Sequence, residues 1–246
     1  MAHDRLSLAI TRFTRVTKKI PKPVKSVLRY LRVHKLFDLI LNKYTDELNF
    51  QAEWAGEFKR NKEKVLEYWK RYRYFNEING LCGFTENTRI LDVGCGISTV
   101  LHFVKGKKYG IDPLANEYKR LYDFPRDIEI IQASGEKIPF ASKYFEVVFC
   151  SNALDHVTSA EKAVSEIHRV LAEGGFFVLT VELFQEKVER NAAHPYSLRR
   201  EDLFDLLKNK FKVVFEKESP WIGMRNYVNG INRIDNKELI LVLKKI

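Results

Sequence analysis

This chain of 246 residues is predicted to fold as an α/β protein with a seven-stranded, mostly parallel sheet. The seventh strand is expected to be antiparallel, and a helical extension precedes the sheet. Three observations predict this. From Thr88 onward, short apolar runs alternate with helical segments, as strands joined by crossovers do. The first run leads straight into a glycine turn, Gly94-Cys95-Gly96. Before Thr88 the apolar residues recur at helical spacing instead.

The elements follow in order. Residues 5–20 place Leu6, Ile10, Phe13, Thr17 and Ile20 on one helical face, with Arg12, Arg15, Lys18 and Lys19 between them. Pro21 and Pro23 break that helix, because each fixes φ and removes a donor. The helical pattern resumes over 24–44. A third helical stretch, 53–78, is rich in charge and in aromatics, among them Trp54, Phe58, Tyr68, Trp69, Tyr72, Tyr74 and Phe75. Strands are expected at 89–93, 108–111, 128–132, 145–150, 175–181, 211–216 and 238–244, with a helix at 99–105 after the glycine turn. A long loop, 217–237, containing Pro220, Gly223 and Gly230, joins the last two strands. The expected division is a basic helical extension over 1–50 and a sheet domain over 51–246, whose helical segment 51–80 covers the site as a lid.

Composition narrows the class. Apolar residues make up 45% and charged residues 30%, enough apolar surface to offset the entropy of ordering a globular core. No uncharged apolar run approaches the ~18 residues of a membrane-spanning helix, and no secretory leader is predicted. Cys82, Cys95 and Cys150 are widely spaced, against a disulfide framework or a structural zinc site. No metal ligand set is expected, and the compartment is read as reducing and cytoplasmic. The net charge of +10 is concentrated at the start, where residues 1–40 hold ten Lys/Arg against two Asp. The rest is nearly neutral, so any electrostatic partner is expected at this arm.

The chemistry starts at Ile90-Leu91-Asp92-Val93-Gly94-Cys95-Gly96-Ile97-Ser98, a strand ending in a turn whose glycines permit close backbone approach to a ligand. Twenty residues after Asp92, Asp112 ends the next strand, where a carboxylate can accept hydrogen bonds from both hydroxyls of a ribose.

Asp92-Val93-Gly94-Cys95-Gly96 resembles the first motif of class I S-adenosylmethionine-dependent methyltransferases, the methyltransferase type 11-like family, whose sheet is Rossmann-like. The nicotinamide fingerprint would place three glycines instead. Four further segments resemble the family in order: Gly110 to Pro113, Ala133 to Phe140, Phe145 to Val157, and Arg169 to Gly175. The resemblance covers roughly 85–246 and implies S-adenosylmethionine as cofactor and S-adenosylhomocysteine as product. It implies that Gly94, Cys95 and Gly96 face the methionine part of the cofactor, with Asp92 holding its amino group. Asp112 and Pro113 would serve the ribose, and Ser134, Gly135 and Glu136 would border the adenine. Asn152 would sit beside the sulfonium. Many relatives carry Asp where this chain has Ser134, and a neutral acceptor is weaker than a charged one.

Methyl transfer is an in-line displacement that needs a general base only when the acceptor carries a proton. His156 is the candidate, since an unperturbed imidazole titrates near neutrality, and Asp155 could orient it. Both could equally be helix-entry residues. Glu182, His194 and Tyr196 lie where the family builds its acceptor pocket, or in ordinary loop. Tyr68, Trp69, Tyr72 or Tyr74 could close over the cofactor, or Trp69, Tyr72 and Phe75 could pack on the sheet, with Arg71 and Arg73 solvated. The sequence lacks Asp/Asn-Pro-Pro-Tyr/Phe and Pro-Cys after the fourth strand, which nucleic-acid enzymes of this class use. A small molecule, sugar or lipid-linked glycan is therefore the expected acceptor, with oxygen ahead of nitrogen. The arm over residues 1–40 is open to three readings: a solvated helix docked on the body, a peripheral contact with the inner membrane face, or, less favoured, a nucleic-acid contact. An RNA- or protein-directed methyltransferase, or a non-catalytic cofactor-binding protein of the same fold, remain the alternatives.

Overall fold

The computed structural model describes residues 33–183, 198–221, 227, 230 and 236–246. The chain divides into two compact units. One comprises Met1–Glu47 with Asn191–Ala193, and the other Leu48–Arg190 with His194–Ile246. In the first, the described backbone is helical from Val33. The amphipathic segment predicted over 5–20 lies outside the described residues.

Two helices open the described chain, α1 (Val33–Tyr72) and α2 (Phe75–Cys82). Seven strands follow: β1 (Arg89–Val93), β2 (Lys107–Asp112), β3 (Ile128–Gln132), β4 (Phe145–Ser151), β5 (Leu171–Leu183), β6 (Phe211–Trp221) and β7 (Asn236–Lys245). Helix α3 (Ala115–Leu121) joins β2 to β3, α4 (Ala160–Val170) joins β4 to β5, and α5 (Arg200–Leu207) lies between β5 and β6. The sheet order is β3-β2-β1-β4-β5-β7-β6. The first five strands pair in parallel, while β7 runs antiparallel to both β5 and β6. The expected sheet and its antiparallel seventh strand are therefore present.

Strand periodicity divides the core between the two faces of the sheet. Leu91, Val148, Cys150, Leu239 and Leu241 pack with Ala163, Val164 and Ile167 of α4 and Leu203 and Leu207 of α5. Their strand neighbours Ile90, Val147, Phe149, Ile240 and Val242 pack on the other face with Trp54, Phe58 and Trp69 of α1 and Ile78 of α2. One strand thus feeds two cores, which makes the sheet the middle of three layers.

Four sequence expectations are corrected. The helix expected over 99–105 is only a 3-10 turn, Val100–His102. The crossover from the glycine turn must reach β2 at Lys107, and β-branched Ile97, Thr99 and Val100 do not favour helix. The helical stretch 53–78 is interrupted at Arg73-Tyr74, where Tyr74 takes a left-handed φ of 52°. Strand β6 runs to Trp221, because its pairing with β7 extends from Phe211↔Lys245 to Trp221↔Asn236. The loop between them is correspondingly shorter than 217–237. Arg73, expected in solvent, is buried at 3% exposure, for reasons that belong to the site below. Among the described residues, no helix is long and apolar enough to cross a membrane.

Candidate active site

The strand order reverses between β1 and β4, and in open α/β sheets ligands bind beyond the carboxyl ends of the strands at such a switch point. Residues from β1, β2, β4, β5 and β7 converge there.

At the end of β1, Gly94 and Gly96 have φ of 71° and 53°, a region L side chains avoid. Space also demands glycine, since a Cβ on Gly94 would overlap that of Ala153 and one on Gly96 would stand 2.9 Å from Nε2 of Gln51. The turn's N–H groups are engaged within the protein. Those of Gly94 and Cys95 donate to the carbonyl of Ile111, at 2.8 and 3.2 Å. That of Gly96 donates to Asp112 Oδ2 at 3.4 Å, and that of Ile97 to Gln51 Oε1 at 2.9 Å. Helix α1 therefore lays a buried amide against the turn through Gln51.

Asp92 is buried beneath the turn. Its Oδ2 accepts from Thr99 Oγ1 at 2.6 Å, but its Oδ1 has no hydrogen-bond partner among the described residues. Burial pushes its carboxyl up to about 7, against the downward pull of the Thr99 hydrogen bond. Asp112 caps the following segment, with Oδ1 accepting from Leu114 N–H at 2.9 Å. Cys95 is buried, and burial holds its thiol well above the usual range, so it packs rather than reacts.

Glu136 has another partner besides the space beyond β3. Its Oε1 accepts from the N–H groups of Thr158 and Ser159, at 2.6 and 3.2 Å, at the start of α4, and its Oε2 accepts from Ser134 Oγ. Burial pulls this carboxyl up, but those hydrogen bonds outweigh it and hold the group below its ordinary value. Ser134 and Glu136 thereby tie the loop after β3 to the helix after β4. Gly135 lies against Val93, 3.0 Å from where its Cβ would be.

At the end of β4, Asn152 takes a left-handed φ of 49°, which asparagine tolerates better than most residues. Its N–H donates to Thr180 O at 2.9 Å. Asn152 Oδ1 and Ser151 Oγ are buried with no partner among the described residues. Asp155 is buried, and His156 Nε2 stands 3.6 Å from Asp155 Oδ2. Glu182 is half-buried near the end of β5, in register with Glu238 of β7.

Arg73 closes the cluster. Its guanidinium lies 2.9 Å from Glu238, which is 1% exposed, and donates to Thr180 Oγ1 at 3.1 Å. It also stacks over the rings of Trp69 and Tyr68, at 4.9 and 5.5 Å. An arginine with an ion-pair partner, a hydroxyl and two aromatic faces has an alternative to water, which is why it is buried. Burial raises the Tyr68 phenol to about 12, with Arg73 opposing the shift. Trp69 and Phe75 belong to the core below the sheet, whereas Tyr68 and half-buried Tyr72 meet Tyr227 at ring separations of 5.5 and 5.6 Å.

The structure thus brings Asp92, Gly94, Cys95, Gly96, Asp112 and Asn152 to the carboxyl ends of β1, β2 and β4, with Pro113 next to Asp112. Asp155 and His156 stand three and four residues after Asn152, and Glu182 pairs in register with Glu238. His194 and Tyr196 lie outside the described residues. Sequence reasoning missed Gln51, Thr99, Thr180 and Glu238. Only Glu238 carried a signal, as a charge opening the apolar run Leu239 to Leu243. No group of three His, Cys, Asp or Glu that could hold a metal occurs among the described residues.

A two-glycine turn at the switch point, with a carboxylate ending the next strand, is the arrangement that nucleoside-cofactor enzymes of the α/β class use. Comparison with known proteins gives the family. The model of the methyltransferase domain matches residues 91–179. YrhH of Bacillus subtilis, classed as a methyltransferase, is 30% identical over 136 residues, covering 48% of this chain and 76% of YrhH. Sterol 24-C-methyltransferase of Candida albicans is 23% identical over 176 residues, covering 65% of this chain and 45% of that enzyme. The chain therefore spans less than half the length of that relative. A solved methyltransferase from Aquifex aeolicus that depends on S-adenosylmethionine shares the fold, with a TM-score of 0.53 and 15% identity over 75% of this chain and 98% of that one. The chain belongs to the class I S-adenosylmethionine-dependent methyltransferase family.

Proposed function

We propose that this chain transfers the methyl group of S-adenosylmethionine to a small-molecule acceptor, an oxygen nucleophile of a metabolite, sugar or lipid-linked glycan. One observation carries the cofactor reading. Asp92 Oδ1, Ser151 Oγ and Asn152 Oδ1 are buried around the switch point without partners among the described residues. Orphaned acceptors at one site are costly unless a donor-bearing ligand satisfies them. A cationic ammonium next to a sulfonium fits this set, and it would favour the ionised form of Asp92.

When bound, the cofactor supplies a methyl group already activated by the positive sulfur. The residues of the chain bind and align. Gly94, Cys95 and Gly96 face the methionine part of the cofactor, Asp92 accepts from its ammonium, and the Asn152 carbonyl oxygen stands beside the sulfonium. Asp112 serves the ribose hydroxyls, with Pro113 beside it, while Ser134, Gly135 and Glu136 border the adenine. His156 takes the proton of the acceptor, steadied by Asp155, and Glu182, His194 and Tyr196 contribute to the acceptor pocket. The basic arm over residues 1–40 brings the protein to an anionic membrane face, where a lipid-linked acceptor would reside.

A second reading, methylation at carbon, is favoured by the likeness to a sterol 24-C-methyltransferase. The deciding experiment is calorimetric titration with S-adenosylmethionine and S-adenosylhomocysteine, followed by an acceptor screen with mass spectrometry of the products. Micromolar binding of both ligands is expected; binding of neither overturns the cofactor reading. A methyl group found on carbon replaces the oxygen reading with the second.

A further inference from the structure

Strand alternation sorts the side chains at the carboxyl end of the sheet. Ile90, Val147, Phe149 and Val178 pack on the side of α1 and α2. Asp92, Ser151 and Thr180 come two residues after Ile90, Phe149 and Val178 in the same strands, so they face the same side. Thr180 bears this out, since its hydroxyl accepts at 3.1 Å from Arg73, the residue after α1. In the order β1-β4-β5, Ser151 stands between Asp92 and Thr180. It is in register with Thr180 and lies two residues nearer the carboxyl edge than Phe149, the partner of Asp92.

The three side chains differ in what they can offer a ligand. Thr180 is fully buried and its hydroxyl already accepts from Arg73. Asp92, once ionised, only accepts. Ser151 is half-buried, and its Oγ is buried with no partner among the described residues. Such a hydroxyl is costly until something fills it, and it can both give and take a hydrogen bond. The backbone holds it in place. Directly after it the chain turns, with Asn152 at a φ of 49° and its N–H donating to Thr180 O at 2.9 Å. Ser151 is therefore the last strand residue before the asparagine assigned above to the sulfonium, one strand further from the ammonium than Asp92.

We propose that Ser151 is a contact for the methyl acceptor, its Oγ–H donating to one lone pair of the acceptor's hydroxyl oxygen. The inference rests on the function proposed above and narrows the acceptor to a compound that presents a hydroxyl. That oxygen then has each direction assigned: its own carbon, its proton toward His156, one lone pair to Ser151 and the other to the methyl carbon. The O–C bond forms as the C–S bond breaks, the electron pair of the broken bond stays on sulfur, and the proton leaves to His156. Ser151 aligns the oxygen and carries no proton away.

The test uses sinefungin, in which an amine-bearing carbon replaces the methylated sulfur, so that its ammonium stands where the methyl group does. With no acceptor bound, the ammonium turns to the nearest lone pair on the acceptor side, which is Ser151 Oγ. Calorimetry on the full chain compares it with S-adenosylhomocysteine, which has nothing at that position. Ser151→Ala should weaken sinefungin about tenfold, as for one charge-assisted hydrogen bond, and S-adenosylhomocysteine about twofold or less. Ser151→Thr keeps the hydroxyl and should restore the preference. If both ligands weaken together, or if the wild type rejects sinefungin while binding S-adenosylhomocysteine, Ser151 does not face the methyl position and the proposal falls. A wild-type protein that binds neither ligand overturns the cofactor reading and the proposal with it. A wild-type protein that binds both, with the preference unmoved by Ser151→Ala, overturns only the proposal. A methyl group found on carbon in the acceptor screen removes the hydroxyl, and the proposal again falls.

Discussion

The two sides of the candidate site are built on different principles. On the β1–β2 side the acidic groups are met by neighbours close in the chain. Asp112 accepts from Leu114, two residues away, and from Gly96, sixteen away, while Asp92 accepts from Thr99, seven away. On the β4–β5–β7 side the partners are distant, with Arg73 reaching Thr180 across 107 positions and Glu238 across still more. The first side is a local turn that presents backbone and carboxylates to a ligand. The second is a set of buried charges brought together only when α1, β5 and β7 are all in place. The contrast teaches that one half of the site is a motif and the other half is a product of the completed fold.

The largest effect should come from breaking the second side. Arg73→Ala leaves Glu238 buried and unpaired and should cost about 3–5 kcal/mol of stability, read as a lowered urea midpoint. Adding Glu238→Leu removes the stranded charge, so the double variant should recover much of that loss. A single variant as stable as the wild type would mean that the pair is solvated in solution, and the contrast between the two sides would vanish.

Breaking the first side should look different. Asp112→Ala frees the Leu114 and Gly96 N–H groups, so it should cost about 1–3 kcal/mol of stability, less than Arg73→Ala, and weaken S-adenosylmethionine roughly ten- to a hundredfold, since hydrogen bonds to charged groups contribute about 1.5–3 kcal/mol. Unchanged affinity would remove Asp112 from the ribose site. A large loss of stability without loss of affinity would make it a structural cap on the Leu114 turn.

This division also explains what was legible in the sequence. Each strand leaves a local apolar run, and the glycine turn and Asp112 sit at a fixed spacing, so the sheet and the motif side could be read directly. The 3-10 turn at Val100–His102 was misread as helix because the apolar pattern fits both, and only the short distance to β2 decides between them. Arg73 was misread because an arginine among aromatics at helical spacing looks solvated until its partner is known. That partner, Glu238, lies in a strand whose pairing is antiparallel and remote. Gln51 left no trace at all, because a polar residue in a charged helix is ordinary unless its amide meets a backbone 46 positions away.

The Asp92 carboxyl gives a pH handle on the motif side. Its folded value of about 7 stands above the ordinary 3.8. The unfolded chain therefore loses this proton at lower pH than the folded one, and the ligand-free protein should lose stability as pH rises from about 4 through about 7. Asp92→Asn should flatten that slope. Binding of S-adenosylmethionine near pH 6 should release about one proton, visible as a calorimetric enthalpy that changes with the ionisation heat of the buffer. An enthalpy independent of buffer would mean that Asp92 is already ionised before the ligand arrives.

The smallest expected effect sharpens the comparison most, because Gln51 links the motif side to α1. Its Oε1 takes the Ile97 N–H and its Nε2 fills the space beside Gly96. Gln51→Ala removes one buried hydrogen bond and should cost about 1–2 kcal/mol, a small shift in midpoint. The freed Ile97 N–H then becomes available to an anionic group such as the carboxylate of the cofactor, which favours a backbone donor at a turn. If affinity for S-adenosylmethionine holds or rises while stability falls, Gln51 is a competitor for the turn, and α1 regulates access to it. If affinity falls with stability, Gln51 is part of the binding surface, and the motif side is no longer local. The two outcomes move affinity in opposite directions, so one titration of one variant decides whether the glycine turn is complete without α1.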